Sequence, residues 1–225
     1  AWYGKAQILY GVSLAVGAGE CVALMGRNGA GKSTTMKAIM GLVARRSGKV
    51  AYRGRDISLL PAYRINRLGL GWVPEDRRIF TDLTVRENLA VGRQPRRAGA
   101  PHWTEAQVYA LFPNLAAMPD RPGGRMSGGE QQMLTIARTL MGNPHLILLD
   151  EPSEGVAPVV VEQMAQMIVA LKREGLSILL SEQNLHFARL VSDRAVVLEK
   201  GQVRYAGSMD ALMADEQVQR TYLSV

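Results

Sequence analysis

Three short groups of residues in this chain could do chemistry, and the first is the octapeptide GRNGAGKS at 26–33. It fits the G-x-x-x-x-G-K-[ST] spacing of a phosphate-binding loop. Glycines at 26, 29 and 31 allow backbone angles closed to other residues, so successive N–H groups of Asn28, Gly29, Ala30 and Gly31 can converge on phosphate oxygens at the positive end of a helix. Lys32 adds a point charge between β- and γ-phosphates, and the Ser33 hydroxyl can ligate Mg²⁺. The second group is Asp150-Glu151, at the end of the apolar run LILL (146–149). Downstream of a phosphate loop, Asp150 suits an indirect Mg²⁺ contact and Glu151 can polarise a water against the terminal phosphate. Without that loop the pair reads as a helix cap followed by an acidic first turn. The third group is Ser127-Gly128-Gly129-Glu130-Gln131, a glycine-preceded helix start able to offer N–H groups to an anion but lacking the lysine of an independent phosphate site. The loop pattern alone does not separate an ATPase from a GTPase or a kinase.

These residues need elements to hold them. Residues 21–25 are unbroken apolar sequence suited to a strand buried on both faces, and 34–42 has helical spacing, giving the loop its strand-loop-helix context. Alternation over 9–16 predicts a half-exposed strand, and residues 17–19 a turn, so that a second, antiparallel sheet is expected at the N-terminal end. Short strand pieces are expected at 49–52 and 56–57, a helix at 61–67, and a strand at 70–73 that stops at Pro74. From Glu75 to about Pro122 strand-like runs vanish, and helices are expected at 84–91 and 104–112. A helix over 130–141 carries apolar residues at 133, 134, 136, 137, 140 and 141. An amphipathic helix at 160–172 and a buried strand at 177–180 follow, with Glu182-Gln183-Asn184 at the strand's C-terminal end. Then come a helix at 185–191, strands at 195–198 and 202–205 around a Lys200-Gly201 turn, and one or two helices from Met209 onward.

At 225 residues the chain can bury one full core, or a core with a modest inserted subdomain. One cysteine rules out an internal disulfide, and Cys21, inside an apolar strand, reads as a buried structural thiol. No run approaches the roughly twenty apolar residues that cross a bilayer, and no signal peptide is read, so a membrane role is expected to come through a partner. The chain starts without an initiator methionine, and a short preceding piece such as an edge strand is expected. The net charge of +7 suits nucleic acid, anionic lipid or phosphate ligands; the one basic cluster, Arg93, Arg96 and Arg97, reads as a solvated linker.

With all three groups in place, the chain resembles the nucleotide-binding subunit of ATP-binding cassette (ABC) transporters over essentially its whole length. The discriminating motif is Ser127-Gly128-Gly129-Glu130-Gln131, which starts a helix shortly before the Asp-Glu strand. The resemblance implies an α/β fold: a P-loop NTPase core with a mainly parallel sheet, an N-terminal antiparallel β part and an inserted α-helical subdomain. A single ABC ATPase domain over 1–225 then divides into a nucleotide-binding core (1–77 and 143–225) and a helical subdomain (78–142) carrying the signature. It implies ATP and Mg²⁺ as cofactors, with Asn28 to Thr34 wrapping the phosphates, Ser33, Asp150 and Glu75 near the metal, and Glu151 as general base beside Lys32 and Gln183. Tyr3 matches the aromatic that stacks on adenine. Two cassettes pack head to tail, so Ser127, Gly128 and Gly129 act on the nucleotide held by a second ABC ATPase subunit, identical or similar. Permease subunits and, indirectly, a substrate-binding protein complete the expected partners, at the cytoplasmic face of the cell membrane and without nucleic acid.

Four positions depart from the usual cassette pattern: Glu75 for glutamine, Gln183 for the switch histidine, Met126 for the signature leucine, and Ala157 where an aspartate is common. The first two, with the segment PSEGVAP at 152–158, resemble the branch of high-affinity branched-chain amino acid importers and related amide and urea systems. Gln183 can donate a hydrogen bond to a γ-phosphate but exchanges no proton near neutral pH, which leaves water activation to Glu151. An ionised Glu75 could meet Mg²⁺ directly or through water, so sharper magnesium dependence is expected than with glutamine. The run Arg77-Arg78-Ile79-Phe80 is expected in a permease-docking groove. Two other readings stay open: a soluble cassette ATPase acting on nucleic acid or ribosomes, for which the interval from Ser33 to Ser127 is short, and an inactive nucleotide-sensing regulator.

Overall fold

The computed structural model describes residues 1–223. Its elements run β1 (Trp2–Tyr3), β2 (Ala6–Gln7), β3 (Cys21–Met25), α1 (Lys32–Ile39), β4 (Ala51–Tyr52), β5 (Arg55–Asp56), α2 (Ala62–Arg67) and β6 (Leu70–Val73). Four helices follow with no strand among the described residues: α3 (Val85–Gly92), α4 (Glu105–Leu111), α5 (Pro113–Ala116) and α6 (Gly128–Leu140). The chain then returns through β7 (Leu146–Asp150), α7 (Pro158–Arg173), β8 (Ser177–Glu182), α8 (Leu185–Val191), β9 (Arg194–Glu199), β10 (Gln202–Ser208), α9 (Met209–Ala214) and α10 (Glu216–Val218).

One sheet, in the order β10-β9-β3-β8-β7-β6, organises the molecule; β10 is antiparallel at one edge and every other pairing is parallel. Parallel sheets need cover on both faces, and the alternation of strand side chains assigns it. On one face Val22, Leu24, Leu148, Leu179 and Val196 pack with Met36 and Met40 around α1 and with Ile65 of α2. On the other, Cys21, Ile147, Leu149, Ile178 and Leu180 pack with residues of α6, α7 and α8. Because the central strands are parallel, β3, β6, β7 and β8 all end at the same edge. There the chain leaves into the phosphate loop, Pro74-Glu75, Asp150-Glu151 and Glu182-Gln183 respectively. Cys21 is fully buried, and burial pushes its thiol up to about 12, in keeping with a structural role.

The N-terminal antiparallel part consists of two small hairpins, β1 with β2 and β4 with β5, and the strand expected at 9–16 does not form. Tyr10 donates its N–H to Gly201 O at 2.8 Å, and beyond it Val12, Leu14 and Val16 lie half-buried against the α1-side core while Ser13 and Ala15 are exposed. The alternation there records which side chains pack, not a ladder, since no described strand runs alongside to pair the backbone. The helix expected from 130 begins at Gly128, because Ser127 is its N-cap: Glu130 N donates to Ser127 Oγ (3.3 Å) and Ser127 N to Glu130 Oε2 (2.7 Å). The same reciprocal box, at Thr84/Glu87 and Thr104/Gln107, starts α3 and α4.

The loop into α3 is held by one side chain. Asn88 is 0% exposed; its Nδ2 donates to Phe80 O, Leu83 O and Thr84 O at 3.0, 3.1 and 3.0 Å, and its Oδ1 accepts Phe80 N–H at 3.0 Å. The three carbonyls keep backbone donors, so Asn88→Ala removes the acceptor of Phe80 N–H and the side-chain ties across the loop, and should cost about 2 kcal/mol in urea unfolding. Exposed Asn114→Ala should cost less than about 0.5 kcal/mol.

Candidate active site

The glycines of the phosphate loop are fixed by their neighbours as well as by their angles. Gly26 has φ 145°, and a Cβ there would sit 2.4 Å from Leu198 O; Gly31, φ 108°, would place one 2.7 Å from Leu9 Cδ2. The loop is thereby wedged between β9 and the N-terminal segment. Lys32, the first residue of α1, is 3% exposed and turns its Nζ back toward Gly26 O (2.8 Å) and Arg27 O (3.2 Å). The same ammonium lies 3.1 Å from Glu151 Oε1. Beside it Ser33 Oγ donates to Asp150 Oδ1 at 3.0 Å, and Thr34 is half-buried in the next position.

Glu151 closes the cluster. It is 8% exposed and adopts φ +46°, a left-handed conformation that costs a non-glycine residue about 1 kcal/mol or more. Its N–H donates to Ser181 O at 3.0 Å. Gln183 Nε2 donates to Glu151 Oε2 at 2.7 Å and to Asn28 Oδ1 at 2.8 Å, joining the β8 end to both other parts of the site. The carboxyl groups are driven apart in acidity. Burial pushes Glu151 up, but hydrogen bonds from Glu154 and Gln183 and the charge and hydrogen bond of Lys32 outweigh it and hold Glu151 below the ordinary range. Glu154 is raised to about 7, first by its hydrogen bonding to Glu151 and then by burial and the charges of Glu151, Glu75 and Glu182. Asp150 is raised first by burial, partly offset by Ser33, with the charges of Glu151 and Glu75 adding to the rise.

Asn28, Gly29, Ala30, Gly31, Lys32, Ser33, Thr34, Asp150, Glu151 and Gln183 thus lie in one cluster, and Glu75 is an exposed residue whose charge reaches it. Tyr3 stands exposed on β1, outside the hydrogen-bonded cluster. Ser127, Gly128 and Gly129 lie elsewhere: Ser127 is exposed, and among the described residues no hydrogen bond or ion pair joins this segment to the chain's own phosphate loop. Arg77 lies against Gly128, since a Cβ on that glycine would come 2.8 Å from its Nη1, whereas Arg78 lies over the Trp72 ring, 5.5 Å from the centroid. In the basic segment at 93–97, Arg93 and Arg96 are exposed as expected, Arg93 pairing with half-buried Glu105 at 3.1 Å, whereas Arg97 is half-buried and donates to Asn66 O at 3.3 Å. Sequence reasoning missed Glu154 and Glu182. Their acidic side chains stand beside Glu151 and Gln183 in the chain, a signal visible only once both segments are known to share an edge.

Buried cation, hydroxyl and carboxylates around a glycine-bounded loop define a P-loop nucleotide site. A family profile described as ABC transporter matches residues 9–154. Over 222 residues the chain is 43% identical to the high-affinity branched-chain amino acid transport ATP-binding protein BraG of Pseudomonas aeruginosa, covering 99% of this chain and 95% of that one. It is 38% identical to the lipopolysaccharide export system ATP-binding protein LptB of Haemophilus influenzae, covering 98% and 92%. Among solved structures, the ADP conformation of MJ1267, an ATP-binding cassette of an ABC transporter, superposes with a TM-score of 0.81 at 27% identity, covering 98% of this chain and 94% of that one. The chain belongs to the ABC transporter family as an ATP-binding cassette, and it is an ATPase.

Because the folded pKa of Glu154, about 7, lies above its ordinary 4.5, its contribution to stability is complete below pH 4.5 and is lost as pH rises through 7. Glu154→Gln does not titrate. With nucleotide and divalent cations chelated away, wild-type Tm should therefore fall relative to the variant between pH 5 and pH 8, and parallel Tm profiles would contradict a raised Glu154.

Proposed function

We propose that this chain is the ATP-hydrolysing subunit of an importer for branched-chain amino acids or a related amide. It works as one of two cassettes closed around ATP and docks on membrane permease subunits at the cytoplasmic face. The observation that carries the enzymatic half is Glu151: an ionised carboxylate between Lys32 and the Gln183 amide, one residue from Asp150. In this reading Glu151 takes the proton of the attacking water, Lys32 and the loop N–H groups hold the phosphates, and Gln183 orients Glu151 and Asn28 toward the terminal phosphate.

The donor set near Asp150 fits Mg²⁺. Ser33 and Asp150 offer hard oxygens 3.0 Å apart, and no cluster of three His, Cys, Asp or Glu side chains capable of a closed metal cage occurs among the described residues. Ser33 and Asp150, with Glu75 at the rim, are the residues that would hold the ion. When bound, it neutralises charge on the β- and γ-phosphate oxygens.

Ser127, Gly128 and Gly129, exposed or half-buried and apart from the chain's own loop, are read as the surface that covers a partner cassette's nucleotide. The division into a core (1–77, 143–225) and a helical subdomain (78–142) follows the same reading. A groove of about 430 Å³ lined by Met40, Leu42, Tyr63, Arg67, Trp72 and Gln94, with Arg78 over Trp72 at its rim, is the permease-docking surface we favour. Arg77, packed on Gly128, is assigned to the signature side instead.

Import is supported by Glu75 and Gln183 together with the 43% identity to BraG. The 38% identity to LptB supports a second reading, an export cassette. Purification of the chain with its permease separates the two. The import reading expects a complex whose ATPase and uptake into vesicles rise with a binding protein loaded with branched-chain amino acid or amide, both lost in Glu151→Gln. A complex indifferent to every such ligand and active toward lipopolysaccharide would overturn it.

A further inference from the structure

Glu182 ends β8 with its side chain 2% exposed, and its carboxylate is fully engaged by backbone. Oε1 accepts the N–H of Ser153 at 3.0 Å; Oε2 accepts those of Gln183 and Asn184, both at 3.2 Å. The first contact crosses from β8 to the loop that follows Glu151. The other two hold the segment that carries the Gln183 amide. One residue earlier, Ser181 O takes the Glu151 N–H, so two consecutive residues of β8 grip the turn in which Glu151 is left-handed.

We propose that Glu182 is a positioning residue for ATP hydrolysis: its carboxylate clamps the Glu151 turn to the Gln183 segment, so that the Glu151 carboxylate is held facing the phosphates. The proposal rests on Glu151 being the group that activates water. A left-handed non-glycine residue relaxes unless its surroundings hold it, and here the restraint on the following loop is a hydrogen bond to a charged acceptor, stronger than one to a neutral group. Three N–H donors also require an acceptor-only group. Glutamine at 182 has a single acceptor oxygen and would turn its NH₂ toward an N–H on one side. Aspartate keeps the charge and can serve the adjacent N–H groups of Gln183 and Asn184, but one methylene less leaves it short of Ser153.

This difference in reach separates a clamp from a local cap at the start of α8. Steady-state ATPase kinetics on Glu182→Gln and Glu182→Asp should show kcat reduced about 10- to 100-fold in both, as expected for a displaced reacting group, with KM for ATP within about threefold of wild type. In a Glu151→Gln background, adding Glu182→Gln should lower the residual rate less than about twofold, because residues acting as a unit are not additive. Wild-type kcat in Glu182→Asp, or a rise in KM that accounts for the loss in either variant, would reduce Glu182 to a cap and overturn the proposal. Wild-type turnover in Glu151→Gln would remove the role of Glu151 and this proposal with it, whereas loss in Glu151→Gln alone, with Glu182→Gln unaffected, overturns only the clamp.

Discussion

The structure depends on a buried cation held at the C-terminal edge of a parallel sheet. Lys32 is 3% exposed, and its ammonium is satisfied by two carbonyls of its own loop and by Glu151 from the turn after β7. Charges that far from water are tolerated only when paired and hydrogen-bonded, and removing one member of such a pair typically costs about 3–5 kcal/mol. The loop therefore has to wind as it does, the glycines have to be glycines, and β3 and β7 have to end in register. The same pair joins cation to carboxylate: with hydrogen bonds from Glu154 and Gln183, Lys32 helps to keep Glu151 ionised.

The acidic side chains around it divide the work by environment. Glu151 is held ionised by its donors, Glu154 beside it is raised to about 7, and Asp150 is buried against the Ser33 hydroxyl. Gln183 contributes no titration of its own. Its amide ties Glu151 to Asn28 through two hydrogen bonds.

Much of this was legible in the sequence because it is encoded locally. The phosphate loop is a run of eight residues, the apolar strands 21–25 and 146–150 announce themselves, and three capping boxes mark helix starts. Two elements differ from expectation, each for its own reason. Residues 9–16 alternate in burial and yet form no strand, because periodicity reports packing and says nothing of a backbone partner. The helix α6 begins two residues before the expected Glu130, because the Ser127/Glu130 box overrides the low helix propensity of Gly128 and Gly129. Glu154 and Glu182 stayed hidden for another reason. Glu182 matters through Ser153, 29 positions away, and Glu154 through a carboxylate whose place in the site is set by strand pairing, and no local pattern carries either relation.

The most direct measurement is calorimetric titration of Mg-ATP into Glu151→Gln and into the double variant Lys32→Ala/Glu151→Gln. The double change removes both buried charges together, so neither is left unpaired in the fold. The account predicts that Glu151→Gln binds ATP at least as tightly as wild type, having lost a negative charge beside the phosphates, and that the double variant binds it more than about tenfold weaker. Equal affinity in the two variants would contradict it, because the phosphates would then not be held at Lys32.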